Sequence, residues 1–507
     1  MEKSWSTYQT NIFNEQKNTK NNICVLAVPG SGKTTTLIEM SKILPSAQDS
    51  LVVSFNKSIV DVLKTKIPDH INCATVHSVG MSAIRSAYGG RITVNGFKVF
   101  GFVDKCLPNW SIPKKDQDFY KYNLINSVNL VRLNTTEFDS VGEDRVEEIL
   151  DHYGAYTVAK TKQHVIQVMR LLADYNSRLS SHDKPIIDFT DMLQIPLQQN
   201  LRIKKYDNVM VDEFQDLSVL QQTLIEKTFK PTTRTVFIGD DKQVIYGFAG
   251  ADISAIERIK NKPNTKILPL SICYRCAKNI VKKINEVYPG VESYDKLGDG
   301  VVSVEADLNK IQKGDWVLCR TNKPLINLYY ILLEQKIPSI IKGKDLGDQL
   351  FKFAKKHKTD ENLQDFYSKI DFEIVSMIQH LVEKDRNVEN NNRLNNIKEM
   401  VGIIKLIGRH CTTVSQLLVS IETMFSDLDN SNCVTLMTVH RSKGLENDRV
   451  FILAPEQLND RWKAEKDWQK TQQRNLRYVA YSRAKKELYF IPLNVIKQQN
   501  NNDDDEF

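Results

Sequence analysis

A chain of 507 residues, 41% apolar and 26% charged, is too long for a single hydrophobic core and has the composition of a globular protein divided into several units. No apolar run approaches the roughly 18 residues of a membrane-spanning helix, the first twenty residues hold no apolar signal core, and the eight cysteines are scattered, which argues against a membrane span, secretion and a disulfide framework. The formal charge of +7 suits a polyanionic partner but is modest for this length, so specific residues must decide; the expected setting is reducing and intracellular, a bacterial cytoplasm or a nucleus.

In chain order, the first strong signal is ICVLAVPGSGKTTTL, residues 23–37, which reads as strand, glycine-rich turn and helix. Pro29 opens the turn. Backbone amides of Gly30, Ser31, Gly32 and Lys33 are expected to converge on a β-phosphate, with Lys33 reaching the β- and γ-oxygens and the Thr34 hydroxyl ligating magnesium. Ala27 stands where the strict pattern has glycine, and an ordinary glycine-rich turn is the plain alternative. Such a loop needs an acidic partner, and YDNVMVDEFQDL, residues 206–217, supplies an apolar strand that ends in Asp212 and Glu213. Asp212 is expected to hold magnesium through water, and Glu213 to orient and deprotonate the attacking water, so that the reaction is hydrolysis. A solvated acidic strand end is the alternative reading.

The separation of Lys33 from Asp212 exceeds what a compact sheet requires, so an insertion is expected near residues 88–186. Its HVIQVMRLLADY stretch has helical spacing, and its Trp110 and Lys114–Lys115 pair read as core packing and solvated face or, alternatively, as a DNA border. After the strand-like RTVFI comes GDDKQVIYGFAG, residues 239–250, a strand end with two carboxylates, an amide and two rings, Tyr246 and Phe248. Cys273 and Cys276 form a CxxC with no second pair or histidines beside it, which reads as packing and not as zinc ligation. VENNNRLNN, residues 388–396, reads as a solvated loop, and residues 497–507 as a disordered acidic tail.

VMVDEFQD, GDDKQVIYGFAGA, LSICYR, VTLMTVHRSKGLE and RYVAYSRA, in that order, resemble the motifs of UvrD/Rep-type DNA helicases of superfamily 1A, with FNKSI and TVHS closest to the phage and F-box helicase branch. The resemblance implies an α/β fold of two RecA-like P-loop motor domains, parallel sheets flanked by helices, each interrupted by an accessory insertion. ATP and magnesium are then the cofactors, with ATP bound between the motor domains and single-stranded DNA crossing their top. The boundaries so implied are 1–87 and 187–264 for the first motor domain around a mainly helical insertion at 88–186. The second motor domain takes 265–349 and 431–496 around a reduced insertion at 350–430.

Carried over residue by residue, Gln9 resembles the reader of the adenine edge and Tyr274 the ring that stacks on the base. Arg275 and Arg483 resemble two arginine fingers, Glu446 beside Gly444 the ribose contact, and Gln243 the γ-phosphate sensor. Tyr246 and Phe248 resemble rings that stack on unpaired bases, with core packing as the alternative. Phe55, Asn56, Thr75, His77, Thr438 and His440 resemble further strand contacts, a structural role being the alternative for each histidine.

Three places depart from the family pattern. Thr35 follows GKT where an arginine is usual and cannot stack on adenine. Ala249 follows Phe248 where arginine is common, and Gln472 and Gln473 replace acidic residues before the last arginine motif. No nuclease segment is expected. The activity implied is an ATP-driven 3′–5′ helicase acting on single-stranded DNA and single-strand/duplex junctions, with a single-stranded-DNA-binding or replication protein as a partner. The alternatives are a translocase that strips proteins from DNA and a nucleotide-gated loading protein.

Overall fold

The computed structural model describes residues 4–54, 56–90, 92–113, 117–153, 161–181, 185–245, 247, 250, 255–304, 306–358, 361–383, 392–425, 432–460 and 466–495. Phe55, Tyr246, Phe248, Ala249, Lys114, Lys115 and the acidic tail lie outside these residues. The chain divides into two compact units, Met1–Ser271 and Ile272–Phe507.

The first unit carries β1 (Asn22–Ala27), β2 (Ser50–Ser54), β3 (Ile71–Thr75), β4 (Thr93–Val94), β5 (Ile186–Ile187), β6 (Tyr206–Asp212), β7 (Phe229–Gly239) and β8 (Thr265–Leu270). Six of them form a parallel sheet in the order β3-β2-β6-β7-β1-β8. Strands of such a sheet are covered on both faces, which is why they read as continuous apolar runs. The period of two sorts their side chains. Val52 and Met210 join Ile12, Leu37 and Leu63 on one face, while Leu51, Val53, Val209 and Val211 join Leu193, Leu220 and Leu224 on the other. The unit ends later than the expected boundary at residue 264, because β8 pairs with β1 from Asn22↔Thr265 to Ala27↔Leu270 and completes the sheet edge.

Between β3 and β6 the chain leaves the sheet. Helices Lys98–Cys106, Gln117–Leu133, Glu143–His152 and Thr161–Ser177 close around a core of their own that includes Val103, Leu124, Val128, Leu150, Val165 and Met169. The last of them contains the HVIQVMRLLADY stretch. Trp110 belongs to this core: its ring stacks on His164 at 4.1 Å, and its Nε1 donates to Gln167 Oε1 at 2.9 Å. Of the two readings of Trp110, packing is the one found.

Where the insertion returns to the sheet, two cations and two carboxylates are buried together. Arg132 donates to both Asp188 oxygens at 2.6 and 3.1 Å and to Asp191 Oδ1 at 2.6 Å; Lys98 donates to Asp191 Oδ2 and to Asn176 Oδ1, both at 2.6 Å. Asn176 in turn donates to Asp191 at 2.8 Å, and Arg132 Nε to Gln194 at 3.0 Å. Three insertion helices are thereby tied to the Asp188–Gln194 segment. Beside it, Gly80 lies so close to the Met192 carbonyl that a side chain there would overlap backbone.

The second unit holds β9 (Ile272–Cys273) paired with β10 (Glu292–Ser293), and a second six-stranded parallel sheet. Its members are β11 (Val301–Ser303), β12 (Trp316–Cys319), β13 (Ser339–Ile341), β14 (Val434–Thr438), β15 (Asn447–Leu453) and β16 (Ala484–Ile491), in the order β11-β16-β15-β12-β14-β13. Two such sheets flanked by helices are the expected fold class. Between β13 and β14 lie helices Lys344–His357, Leu363–Glu383, Asn392–Gly408 and Val414–Met424. They share the sheet's core, with Leu350, Phe366, Ile404 and Leu417 in one cluster with Val317, Leu436 and Phe451. The expected loop at 388–396 is corrected from Asn392 onward: that part is helical, and burial of Leu394 gives it an anchor that its asparagine-rich composition hides. Among the described residues, no helix is long and apolar enough to cross a membrane.

Removing one partner of a buried ion network strands the other charges, at a cost of about 3–5 kcal/mol. Arg132→Leu is therefore expected to lower the unfolding free energy by that order, measured as a fall in denaturant midpoint by circular dichroism.

Candidate nucleotide and nucleic-acid sites

All strands of a parallel sheet end on one edge, and in the first unit three adjacent strands end in functional groups. Register sets their level: Val25 pairs with Ile238, Leu26 with Gly239, and Asp212 with Ile238. The turn after β1, Asp212–Glu213 after β6 and Gly239–Asp240 after β7 are thus neighbours. Gly30 and Gly32 take φ of 65° and 82°, a left-handed pair that only glycine adopts cheaply, and Gly32 leads into the helix Lys33–Lys42. Ser31 Oγ closes the turn on Val28 O at 2.7 Å, and Thr36 Oγ1 on Gly32 O at 3.0 Å.

Lys33 Nζ lies 3.5 Å from Glu213 Oε1. Glu213 itself has φ 50°, an unfavourable region for a residue with a side chain, and its N–H donates to Asp212 Oδ1 at 3.0 Å. Burial pushes the Asp212 carboxyl up to about 7, the Glu213 charge adding to the rise and Lys33 opposing it. Asp240, also buried, is pushed up to about 6 against the pull of Lys33 and a hydrogen bond from Gln243. Carboxyls held this far from water favour a cation beside them. Asp212 and the Thr34 hydroxyl make a sparse donor set, and among the described residues no cluster of three or more metal-binding side chains exists. That fits magnesium, which keeps waters and takes phosphate oxygens, better than an all-protein cage.

A line of hydrogen bonds runs on from Glu213. Gln215 Nε2 donates to Glu213 Oε2 at 2.5 Å, Gln215 Oε1 accepts from Asp240 N at 3.2 Å, and Gln243 Nε2 donates to Asp240 Oδ2 at 2.7 Å. Gln215 and Asp240 are absent from the sequence expectation, although the glutamine after DEF and the first aspartate of GDD carry the signal. Gly239 permits the line: a Cβ there would overlap Gln215 Oε1 and stand 2.8 and 2.9 Å from Phe214 ring carbons.

Gln9 sits on the helix Thr7–Asn18, whose far end is clamped by Arg234 of β7 donating to the carbonyls of Glu15, Gln16 and Asn21 at 2.9, 2.6 and 2.9 Å. Its amide is engaged locally, Oε1 accepting from Ser6 N and Nε2 donating to Thr36 Oγ1, each at 3.2 Å. It therefore lies beside the P-loop helix, 3.8 Å from where a Gly32 Cβ would stand. Thr35 is exposed.

Two of the expected strand contacts are helix caps. Asn56 Oδ1 accepts from Ser58 N at 3.4 Å to open the helix Lys57–Lys64, and Thr75 Oγ1 accepts from Ser78 N at 3.2 Å to open Val76–Tyr88. Sequence inspection misses this second role. Burial lowers the pKa of His77, and burial with Arg320 and Lys443 pushes that of His440 down to about 3.

In the second unit Arg275, Glu446 and Arg483 gather around the end of the helix Asp467–Tyr481. Arg275 and Lys485 both pair with Glu446, the latter at 3.1 Å, and Arg275 donates to Ser482 O at 3.1 Å. Arg483 is 1% exposed, its guanidinium donating to Val479 O, Leu445 O and Ser482 Oγ at 3.0, 3.0 and 2.8 Å. Gly444 takes φ 81° in the turn before Glu446. The Tyr274 ring packs on Tyr294 at 4.8 Å. Gln473, where an acidic residue is usual in the pattern, accepts from Arg320 Nε at 3.3 Å, an uncharged acceptor for a charged donor.

A profile of the UvrD/REP helicase N-terminal domain matches residues 8–264, half of the chain, and one of the UvrD-like helicase C-terminal domain matches residues 434–491. Among curated proteins, ATP-dependent DNA helicase PcrA of Staphylococcus epidermidis is 24% identical over 447 residues, covering 64% of this chain and 61% of the relative. The protein of the same name from Staphylococcus aureus is 24% identical over 451 residues, covering 65% and 61%. The match thus spans about 61% of the length of these relatives. Among solved structures, an arterivirus nonstructural protein 10 (helicase) aligns over 96% of this chain and 64% of that one with a TM-score of 0.35 and 12% identity, too low to bear on function. With the P-loop and its acidic partners on adjacent strand ends and the family profile matching half of its length, this chain belongs to the UvrD/REP helicase family.

Proposed function

We propose that this chain is an ATP-dependent DNA helicase, an ATP hydrolase that moves 3′ to 5′ along single-stranded DNA and separates duplex at single-strand/duplex junctions, with magnesium as the metal of its nucleotide. The observation that carries the reading is the line Lys33–Glu213–Gln215–Asp240–Gln243, because it joins the end of a phosphate-binding loop to the segment that holds Tyr246 and Phe248. In this reading Lys33 neutralises the β- and γ-phosphates, Thr34 and Asp212 hold magnesium, and Glu213 takes the proton of the attacking water. Magnesium supplies charge neutralisation at the phosphates. Gln243 senses the γ-phosphate, and Arg275 and Arg483 stabilise transition-state charge.

The hydrogen-bond line gives hydrolysis a mechanical consequence. When the γ-phosphate leaves, Gln243 loses a partner, and the shift is passed along a segment already fixed to Asp240, so the rings at 246 and 248 change their hold on a stacked base. Asn56, Thr75, His77, Thr438 and His440 supply the remaining strand contacts. Replication, recombination or repair is the setting, with a single-stranded-DNA-binding or replication protein as partner. Stripping of proteins from DNA is the second reading, and it shares the same motor.

ATP turnover measured with and without single-stranded DNA, beside unwinding of 3′-tailed and 5′-tailed duplexes, tests the proposal. DNA-stimulated turnover with unwinding of the 3′-tailed duplex alone is expected; turnover without unwinding of either would favour the stripping reading, and no turnover would overturn the motor. Glu213→Gln is expected to bind ATP and DNA normally and to lose turnover by about a hundredfold or more, since only the base is removed. Gly239→Ala forces Gln215 and Phe214 to move, and overpacking of this kind costs about 1–3 kcal/mol. Its melting temperature should fall modestly and its turnover steeply, while a variant with full activity would show that Gln215 does not hold Glu213 in place.

A further inference from the structure

Cys273 and Cys276 bracket Tyr274 and Arg275 in the turn between β9 and the helix Lys278–Asn285. All eight cysteines of the chain are free thiols, and only these two are spaced as CxxC. Their arrangement is that of a closed dithiol. The Cys276 N–H donates to Cys273 Sγ at 3.4 Å. Cys276 Sγ is also 3.8 Å from Ser482 O, the carbonyl that accepts from Arg275 at 3.1 Å and directly precedes Arg483. One carbonyl therefore joins Cys276 to Arg275.

The two sulfurs differ in reactivity as an attacking and a resolving thiol do. The hydrogen bond from Cys276, helped by the amides of Cys276 and Arg275 and the Arg275 charge, holds the Cys273 thiol down at about 6 against its burial, while Cys276 is raised well above the usual thiol range. Burial raises the thiols of Cys24, Cys73, Cys106, Cys319 and Cys433. Thiolate character, which selects the site of oxidation, is thus concentrated at Cys273.

We propose that Cys273 and Cys276 form a reversible disulfide, driven by a hydroperoxide, that disables the Tyr274–Arg275 segment between them. The Cys273 thiolate attacks the O–O bond, taking one oxygen as a sulfenic acid and releasing hydroxide when the oxidant is hydrogen peroxide. The Cys276 sulfur then attacks the sulfenic sulfur, and the displaced hydroxide leaves as water with the Cys276 proton. Two thiols lose two electrons and two protons, and the peroxide is reduced to two waters. Both sulfurs are fully buried, which restricts the oxidant to one that enters through local opening. Bond formation draws the sulfurs to about 2.05 Å and removes the Cys276 thiol from Ser482 O. Arg275, whose guanidinium shares that carbonyl, is shifted in its seating while Glu446 still pairs with it. A dithiol reductant restores it. The loss of activity rests on the reading that Tyr274 and Arg275 serve the nucleotide site; the disulfide itself does not.

The test is made on the full chain. After hydrogen peroxide treatment, free thiols are alkylated under denaturing conditions and the peptide holding both cysteines is weighed, with DNA-stimulated turnover measured in parallel. The expected peptide is unalkylated and lighter by two hydrogens, the other cysteines remain alkylated, and turnover falls about tenfold or more and returns with dithiothreitol. Cys276→Ser, active under reducing conditions, should give no such peptide and lose the dithiothreitol-reversible inhibition. Alkylation of both cysteines after peroxide overturns the disulfide, and a disulfide formed with undiminished turnover overturns the switch. Absence of turnover in the reduced protein would count against the helicase reading alone, since the peptide mass still decides whether the bond forms.

Discussion

In a parallel sheet the strands deliver their last residues to one edge, and in the first unit β1, β7 and β6 bring a lysine and three carboxyl groups there at nearly the same level. Everything proposed for the nucleotide site depends on that convergence. Burial drives Asp212 and Asp240 toward protonation, and Lys33 draws them back. The backbone accommodates this at a cost, with Glu213 in the left-handed region and Gly239 too close to its neighbours to carry a side chain. Local strain of this kind persists only where the surrounding packing dictates it, and here the two covered faces of the sheet supply that packing.

The two insertions are attached to their sheets in physically different ways. The first has its own apolar core and is joined at its return by a buried network of Arg132, Lys98, Asp188 and Asp191, while Phe138 and Ala173 pack into the sheet's cluster. The helices of the second are continuous with the apolar interior beneath β12 and β14.

In the second unit the candidate arginines are held by backbone carbonyls and by one glutamate. Arg275, Lys485 and Glu446 form a compact ion cluster, and Arg483 is satisfied by its own helix and by Leu445. Arg275 shares the Ser482 carbonyl with Cys276, which is why the neighbouring CxxC matters.

The sequence by itself determined the fold class and the candidate groups that follow apolar runs, because strand burial and turn chemistry are local: β1 into Gly30–Lys33, β6 into Asp212–Glu213, β7 into Gly239–Asp240. It also determined the family, through motifs in a fixed order. Tertiary structure decided what depends on groups distant in the chain. The joining of Gln215 to Asp240 rests on strand register, the buried Arg132 network on a return path no local pattern reveals, and the place of β8 at the sheet edge on pairing with β1. Residues 392–396 show the same division: their composition is that of a solvated loop, and only the burial of Leu394 against other helices makes them a helix. Composition reports what a segment prefers alone, whereas long-range packing sets which preference is overruled.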